Sequence, residues 1–245
     1  MHESLRMAAL ATAIAASQIV GGSIRAAEPP GGELSANISV VSNYYYRGVS
    51  QTDDGPAVQG GVDYEWIRGT GFYAGTWLSN VEFGDGTGYG IYLYGGWVLG
   101  SDDLDVGYIY YAYPDNPGDG YDYGELYVDT AWKWITMGLS YTINSDVDEG
   151  PFKQGDIYGY IGFDLEWRDD WGFGGHVGGY DFDDHGRAGQ ELTYVDWSAH
   201  IRKDAGNFGE FRLTYVQTDI SRNNAAFGSD NSGDPKFWIG WTKRF

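Results

Sequence analysis

Ser198 and His200 are the two side chains whose types and spacing come closest to those of a catalytic site. Two residues apart on one extended strand, a hydroxyl and an imidazole point to the same face and can act as nucleophile and base. A lipid-hydrolysing site needs these groups to face the lipid and needs a third group that orients the imidazole. The alternation around the pair turns both side chains to the interior, and no third group is evident in the sequence. We therefore interpret the pair as structural and predict no catalytic residue.

Two acidic stretches resemble calcium-binding loops, DNPGDGYDYGEL at 115–126 and DFDDHGRAGQEL at 181–192. Gly120 and Gly186 fit the sixth position of such a loop, but Leu126 and Leu192 occupy the twelfth, where a bidentate glutamate is required. The chain also has no cysteine, which removes thiolate metal sites. We predict no metal site and no cofactor. The stretches are interpreted as solvated loops that can bridge weakly to lipopolysaccharide through divalent cations.

Charged side chains recur at alternate positions of segments whose other positions are apolar, so they share one face of each extended segment. Acidic groups outnumber basic ones on this face, and an interior with that balance favours cations over anions. Asp196 and Arg212 are about equally far from a turn near residue 204, so we expect them to form an ion pair. The predicted interior residues are Arg47, Asp63, Glu65, Asp105, Glu125, Asp129, Lys133, Asp164, Glu166, Arg168, Asp196, Arg202, Glu210, Arg212 and Lys236.

The elements that carry these side chains are predicted to be β-strands, because apolar residues recur with a period of two and helical periodicity is not sustained. In the segment 135–145, Ile135, Met137, Leu139 and Tyr141 alternate with small or polar residues. The twelve predicted strands are 34–49, 57–67, 71–82, 89–100, 104–113, 123–134, 135–145, 156–168, 171–182, 191–202, 208–218 and 236–245.

The connections between these strands alternate strictly between short and long. An even number of antiparallel strands with five short turns at one end and six longer loops at the other is typical of an outer-membrane barrel. The predicted fold is therefore an all-β, twelve-stranded, antiparallel up-and-down transmembrane barrel, with short periplasmic turns and longer extracellular loops. A soluble β-barrel or sandwich secreted to the periplasm is the alternative fold.

Aromatic side chains concentrate near the strand ends, where an outer-membrane barrel carries girdles at both membrane interfaces. The three tyrosines of NYYYRGVSQT at 43–52 are predicted to lie where the first strand leaves the bilayer, with Tyr44 and Tyr46 facing lipid and Tyr45 and Arg47 facing the interior. The predicted girdle residues are Tyr44, Tyr46, Trp66, Trp97, Trp132, Trp134, Trp167, Trp171, Trp241 and Phe245.

The N-terminal segment 1–27 differs from the rest of the chain. Arg6 precedes the short apolar stretch AALATAIAAS, and small residues at Ala26 and Ala27 precede a pair of prolines. This pattern predicts a cleaved secretory signal peptide at 1–27, followed by one barrel domain at 28–245. The formal net charge of -20 argues against nucleic acid as a partner, because the chain would repel phosphates.

The sequence resembles the TorF family, a proteobacterial family of porin-type outer-membrane proteins whose individual roles are mostly unassigned. The resemblance rests on SNYYYRGVSQT at 42–52, on AVQGGVDYEW and GFYAGTWLSNVEFG after it, and on the aromatic C-terminus. It spans nearly all of the chain after the signal segment, and its N-terminal third is the most specific part. The resemblance implies a channel-like barrel in the outer membrane and supplies no solute.

These observations together predict a porin-like channel in the outer membrane of a Gram-negative bacterium, with both termini periplasmic. We expect passive diffusion of small cationic or neutral solutes through a narrow acidic lumen, because twelve strands leave little room between their side chains. The first alternative is a non-conducting structural or adhesive barrel whose lumen is plugged. The second and less favoured alternative is a lipid-modifying enzyme. Expected partners are outer-membrane lipid, lipopolysaccharide, small solutes and the barrel-assembly machinery, which would read the aromatic C-terminal strand.

Overall fold

The computed structural model of the chain describes residues 31–66, 71–99, 104–118, 120–147, 150–168, 170–183, 192–221 and 232–245. Twelve antiparallel strands close into a barrel, and two further short strands form a separate hairpin. The predicted signal peptide lies outside the described residues. No helix in the described ranges has the length and apolar character needed to cross a bilayer.

The strands have the following bounds. They are β1 Gly32–Val41, β2 Tyr45–Tyr46, β3 Val49–Ser50, β4 Ala57–Trp66, β5 Phe72–Asn80, β6 Tyr89–Leu99, β7 Leu104–Ala112, β8 Tyr123–Trp132, β9 Ile135–Ser145, β10 Ile157–Arg168, β11 Trp171–Asp181, β12 Tyr194–Asp204, β13 Glu210–Thr218 and β14 Lys236–Arg244. A single 3₁₀ turn, Gly206–Phe208, lies between β12 and β13 in the described chain.

The predicted fold class is confirmed, and so are eleven of the twelve predicted strands to within a few residues. The exception is the first, which was predicted to run over 34–49. The strand β1 ends at Val41, and the chain then turns inward to form the β2–β3 hairpin before β4 begins at Ala57. The long segment 42–56 is therefore a folded loop and not the end of a membrane strand.

The outer face of the barrel is apolar because the period of two survives in nearly every strand. Val58, Ile161 and Ile239 expose 58%, 51% and 60% of their surface, whereas the neighbouring interior residues Gln59 and Trp238 expose 3% and 2%. Exposed apolar surface that continues around a whole molecule suits a hydrocarbon solvent and not water. The inward positions carry the polar and charged side chains.

The connections divide the barrel into two ends. The short connections are 67–71, 100–103, 133–134, 169–170 and 205–209, and the long ones are 42–56, 81–88, 113–122, 146–156, 182–193 and 219–235. The barrel closes where β1 pairs with β14, over five register pairs from Asn37–Arg244 to Val41–Gly240. The final residue extends this seam, because Phe245 and Ala36 exchange two backbone hydrogen bonds of 2.8 and 3.1 Å.

Candidate functional site

The lumen contains a hairpin that the chain supplies from its own first long loop. Within residues 43–52 every residue is buried except Ser50, which is half-buried. Tyr46 pairs with Val49 across the turn, and the two turn residues, Arg47 and Gly48, both have left-handed φ values of 46° and 83°. Two such residues form the type of tight turn that matches the twist of a β-hairpin.

Glycine at position 48 is required by a close approach as well as by its φ. A Cβ atom there would lie 2.6 Å from the Cβ atom of Asp196 and 2.6 Å from the Cγ2 atom of Thr218. The tip of the hairpin therefore rests against the inner walls of β12 and β13. The hairpin crosses the interior and narrows it.

Polar contacts near the barrel mouth hold the base of the hairpin. The Asn43 side-chain oxygen accepts hydrogen bonds from the hydroxyls of Ser50 (2.7 Å) and Thr52 (3.1 Å), and the Asn43 amide donates to Asp54 at 2.8 Å. Asp54 also pairs with Lys236 at the start of β14. Burial opposes ionisation of Asp54, but hydrogen bonding and charge attraction from Lys236 outweigh it and lower the pKa of this carboxyl.

Arg47 at the hairpin tip makes the most extensive polar contacts in the lumen. Its two terminal nitrogens donate to the two carboxylate oxygens of Glu125 on β8, each at 2.7 Å. The Nη1 atom also donates to the Tyr180 hydroxyl at 2.8 Å. The guanidinium carbon lies 4.2 Å from the ring centroid of Tyr158, 4.8 Å from that of Tyr46 and 4.9 Å from that of Tyr180. Both members of the pair are buried, so the bond forms where water does not weaken it.

One wall of the lumen carries carboxylates bound only by tyrosines in the described part of the chain. Asp105 on β7 lies directly opposite Asp129 on β8. The Tyr73 hydroxyl donates to both oxygens of Asp105 at 2.8 Å and contacts the Tyr127 hydroxyl. The Tyr160 hydroxyl donates to Asp129 at 2.8 Å. The Tyr94 hydroxyl donates to Asp63 on β4. We call Asp63, Asp105 and Asp129 the acidic wall.

Another wall carries arginines on β12, β13 and β14. Arg202 contacts Asp164 at 2.7 Å, Glu166 at 2.5 Å and Glu210 at 3.9 Å. Arg212, directly opposite Arg202 in the ladder, contacts Glu210 at 3.2 Å. We call Arg202, Arg212 and Arg244 the arginine wall. In ring order β13 and β14 lie across the barrel from β7 and β8, so Arg212 and Arg244 lie across the lumen from Asp105 and Asp129.

The predicted Asp196–Arg212 ion pair is wrong. The β12–β13 turn is centred near residue 207, so Asp196 lies opposite Thr218, and Arg212 lies opposite Arg202. Asp196 instead accepts a hydrogen bond at 2.9 Å from His176 on the neighbouring strand, and the Tyr158 hydroxyl donates to it at 3.1 Å. The error came from placing the turn about three residues too early.

Some predicted lumen residues lie at the barrel ends. Lys133 forms part of a two-residue turn with a φ of 60°, is exposed, and places its Nζ atom 4.6 Å from the Trp132 ring. Arg168 ends β10 and is exposed, with its guanidinium 5.4 Å from the ring of Trp167. The lumen prediction is wrong for these two residues. Glu65 is exposed near the end of β4, and Lys236 lies at the long-loop end.

Two of the predicted girdle residues are inside the barrel. Tyr44 and Tyr46 expose 4% and 5% of their surface, and their hydroxyls meet those of Tyr92 at 3.2 Å and Tyr111 at 2.9 Å. The prediction that they face lipid is wrong, because they belong to the hairpin. The tryptophans at the short-turn end do point outward. Exposed there are Trp66, Trp97, Trp132, Trp134, Trp167, Trp171 and the C-terminal Phe245, while Trp241 is half-buried.

Ser198 and His200 both belong to the inner face of β12. The His200 Nε2 atom donates a hydrogen bond at 3.0 Å to Asp164, a third group that sequence reasoning missed. Among the described residues no hydrogen bond joins Ser198 to His200. The two residues are therefore not arranged as a nucleophile with its base.

Sequence reasoning also missed the tyrosines that line the lumen. The signal was available in the spacing, because Tyr92 and Tyr94 are two apart, as are Tyr158 and Tyr160, and each pair shares the inner face of its strand. The missed lumen residues are Tyr73, Tyr92, Tyr94, Tyr111, Tyr127, Tyr158, Tyr160, His176, Tyr180, Tyr194 and Arg244.

A family model matches residues 26–245 and is described as "Bacterial protein of unknown function (Gcw_chp)". The chain belongs to this family. The match does not carry the name TorF, so that part of the resemblance remains a prediction. Comparison with curated protein sequences gives no match.

Solved structures place this Gcw_chp member among porin-type folds. The KdgM porin superposes with a TM-score of 0.53 at 9% identity, covering 86% of this chain and 99% of the porin. The NanC porin gives a TM-score of 0.50 at 13% identity, covering 86% and 98%. At such identities the similarity shows the fold alone.

Proposed function

We propose that this protein is a porin-like channel of the bacterial outer membrane, through which small cationic or neutral solutes diffuse passively. The observation that carries the proposal is the closed barrel with an apolar outer face and a polar, charged interior. Closed barrels satisfy all backbone hydrogen bonds within the membrane. The fold shared with the KdgM and NanC porins supports the same interpretation.

The orientation we propose puts both termini and the short turns in the periplasm and the long loops outside. Tryptophans cluster at the short-turn end, as expected for an interfacial girdle. Outer-membrane lipid and lipopolysaccharide would surround the barrel, and the assembly machinery would read β14. The acidic loops at the other end would then face lipopolysaccharide.

Cation preference is proposed from the charge of the lumen. The arginine wall is matched by Asp164, Glu166 and Glu210, whereas the acidic wall has only tyrosine partners among the described residues. The balance leaves an excess of negative charge, which attracts cations and repels anions. Because the hairpin occupies part of the interior, we expect a small conductance.

Planar-bilayer recordings under a KCl gradient test this proposal. The reversal potential should show cation preference, and Asp105→Asn with Asp129→Asn should reduce it. Asp85→Asn is the matched control, because it removes one negative charge from an exposed loop outside the lumen. A reversal potential that shows anion preference in the unmodified protein would contradict the proposed selectivity.

A non-conducting structural barrel is the second candidate, and the buried hairpin is the observation that favours it. It predicts no single-channel current in the unmodified protein and current only after the segment 43–52 is replaced by a short glycine and serine linker. Current in the unmodified protein would exclude it. The arrangement of Ser198 and His200 gives no support to a lipid-modifying enzyme.

A further inference from the structure

We propose that Glu125, Tyr158 and Tyr180 form a binding site for the guanidinium group, which Arg47 fills when the hairpin is inside the lumen. A solute that carries a guanidinium group would compete with the hairpin for this site. The competition with a passing solute rests on the proposed channel function, but the binding site itself does not. We call these three residues the guanidinium cage.

The cage belongs to the barrel wall and not to the hairpin. Glu125 lies on β8, Tyr158 on β10 and Tyr180 on β11, on the inner face of three separate strands. Only one of the three rings around Arg47, that of Tyr46, belongs to the hairpin. Withdrawal of the hairpin therefore leaves a carboxylate and two aromatic faces in place.

Contacts other than those with Arg47 fix the cage in its geometry. The hydroxyl of Tyr111 donates to Glu125 at 3.1 Å. The Tyr158 hydroxyl bonds His176 at 2.8 Å and donates to Asp196 at 3.1 Å. The ring of Tyr180 stacks on Phe182 with centroids 4.1 Å apart and planes 4° apart. A site whose walls are already ordered loses little entropy when a ligand binds.

The geometry matches a planar fork better than a spherical ammonium group. Two parallel bonds of 2.7 Å join the two guanidinium nitrogens to the two carboxylate oxygens. The cation also lies 4.2 Å from the ring centroid of Tyr158 and 4.9 Å from that of Tyr180. A guanidinium ion combines bidentate hydrogen bonding with stacking on aromatic faces, and an ammonium ion provides only a point charge. The expected ligand class is therefore alkylguanidinium.

The hairpin carries Arg47 to the cage and has contacts of its own with the barrel wall, because the hydroxyls of Tyr44 and Tyr46 meet those of Tyr92 and Tyr111 at 3.2 and 2.9 Å. Its ladder has two register pairs, and the Tyr194 hydroxyl binds the carbonyl oxygen of Arg47 at 2.9 Å. A free guanidinium compound therefore competes with a group that the hairpin already holds in position. Removal of the Arg47 side chain takes this competitor away and leaves the cage open to the free compound.

The test is chemical rescue of a variant that empties the cage. Arg47→Ala, purified in detergent, should unfold at a lower temperature than the unmodified protein, because the Glu125 carboxylate is left without its cation. Methylguanidinium at millimolar concentration should raise the midpoint of Arg47→Ala by roughly 2–4 °C. Methylammonium at the same ionic strength should not. The double variant Arg47→Ala with Glu125→Gln is the control, and it should show no specific gain.

Arg47→Asn is a second variant, because asparagine tolerates the left-handed φ at this turn better than alanine. If either variant folds only when methylguanidinium is present during refolding, that result also supports the proposal, because the added guanidinium group replaces the missing side chain. Equal effects of methylguanidinium and methylammonium in both single variants would overturn the proposal, as would rescue that survives in the double variant. Bilayer recordings on the same proteins separate the two proposals, since specific rescue without current would retain the cage and reject the channel.

Discussion

At the scale of single residues, the lumen shows how position decides the effect of a charge pair. Arg47 and Glu125 expose only 7% and 1% of their side chains, so each depends on the other to compensate its buried charge. Lys236 and Asp54 form a pair of the same type but expose 24% and 40%. Water and salt weaken the second pair and not the first.

Breaking the buried pair should cost far more stability than breaking the exposed one. Removal of one partner of a buried pair typically destabilises a protein by about 3–5 kcal/mol, because the remaining charge is buried alone. We expect Glu125→Ala to lose an amount of this order, and Asp54→Asn to lose less than about 1 kcal/mol. Denaturant titration of the folded barrel in detergent measures both losses. Similar losses of stability in the two variants would show that the buried Arg47–Glu125 pair stabilises the barrel no more than the exposed pair does.

At the scale of elements, the β2–β3 hairpin depends on one glycine. Gly48 and Gly84 have nearly the same φ, 83° and 80°, but a Cβ atom at position 84 would meet nothing within 4 Å. Substitution of either glycine by alanine pays the cost of a left-handed residue, about 1 kcal/mol. Only Gly48→Ala also collides with the lumen wall.

We therefore expect Gly48→Ala to displace the hairpin and Gly84→Ala to leave it in place. Displacement should expose residues 43–52 to added protease and should raise the single-channel conductance, if the barrel conducts. Limited proteolysis followed by mass spectrometry locates the cleavage. Equal resistance of this segment to the protease in both variants would contradict the prediction. It would mean that Asp196 and Thr218 shift to accommodate the added methyl group and that the hairpin stays in place.

The long loop before β10 depends on a carboxyl group outside the membrane strands. Asp156 has no exposed surface and accepts backbone hydrogen bonds from Lys153 and Asp183, each at 2.9 Å. Burial raises its pKa to about 6, and the two backbone donors only partly oppose this shift. A raised pKa means that the folded loop binds the proton more tightly than the unfolded loop does.

The packing of this loop should weaken as the pH rises. The contribution of Asp156 is fully present below the ordinary aspartate pKa near 4 and is lost as the pH passes through about 6. Amide hydrogen exchange of Lys153 and Asp183, corrected for the intrinsic rate, should accelerate across this interval. Asp156→Asn should remove the dependence, and an unchanged profile in that variant would assign it to another group.

Eleven of the strands were predictable to within a few residues at this scale because their periodicity is local, whereas the hairpin that follows the first strand was not predictable. The alternation of apolar and polar residues in 135–145 and in 157–168 shows directly which side chains share one face of the strand. The stretch NYYYRGVSQT also has the composition of an interfacial segment, since a tyrosine ring suits both a membrane boundary and a packed lumen. What places it inside is its contact with Glu125, 78 residues away. No pattern within the stretch reveals that contact.

At the scale of the whole molecule, the interior is organised around the barrel axis. The acidic wall, Arg202 and Arg212 were placed on the inner face from parity alone, whereas Arg244 was missed. Which charges meet depended on the register of each strand pair, and the misplaced β12–β13 turn shows that an error of three residues changes the partners. The alternation of short and long connections was enough to predict the antiparallel topology. Neither the lengths of the connections nor the order of the strands depends on the register of a strand pair.

Assembly of the barrel in the cell should depend on its last residue. If the assembly machinery reads the aromatic end of β14, Phe245→Ala should lower the amount of folded barrel in the outer membrane. Phe208→Ala is the control, because Phe208 is also an exposed phenylalanine, with 77% of its surface exposed, but lies in a short turn. Both variants should refold equally well in detergent. Equal loss for the two in cells would point to general destabilisation.

The junction of the first and last strands has a mechanical consequence. Its five register pairs are the fewest of the twelve ladders in the described barrel, where the others have seven or more. Under an outward force the cylinder should split along this line before any other. The first and last strands would then separate while all twelve strands stay joined through the other eleven ladders as a curved sheet, which makes this line the natural place to open the wall towards the surrounding lipid.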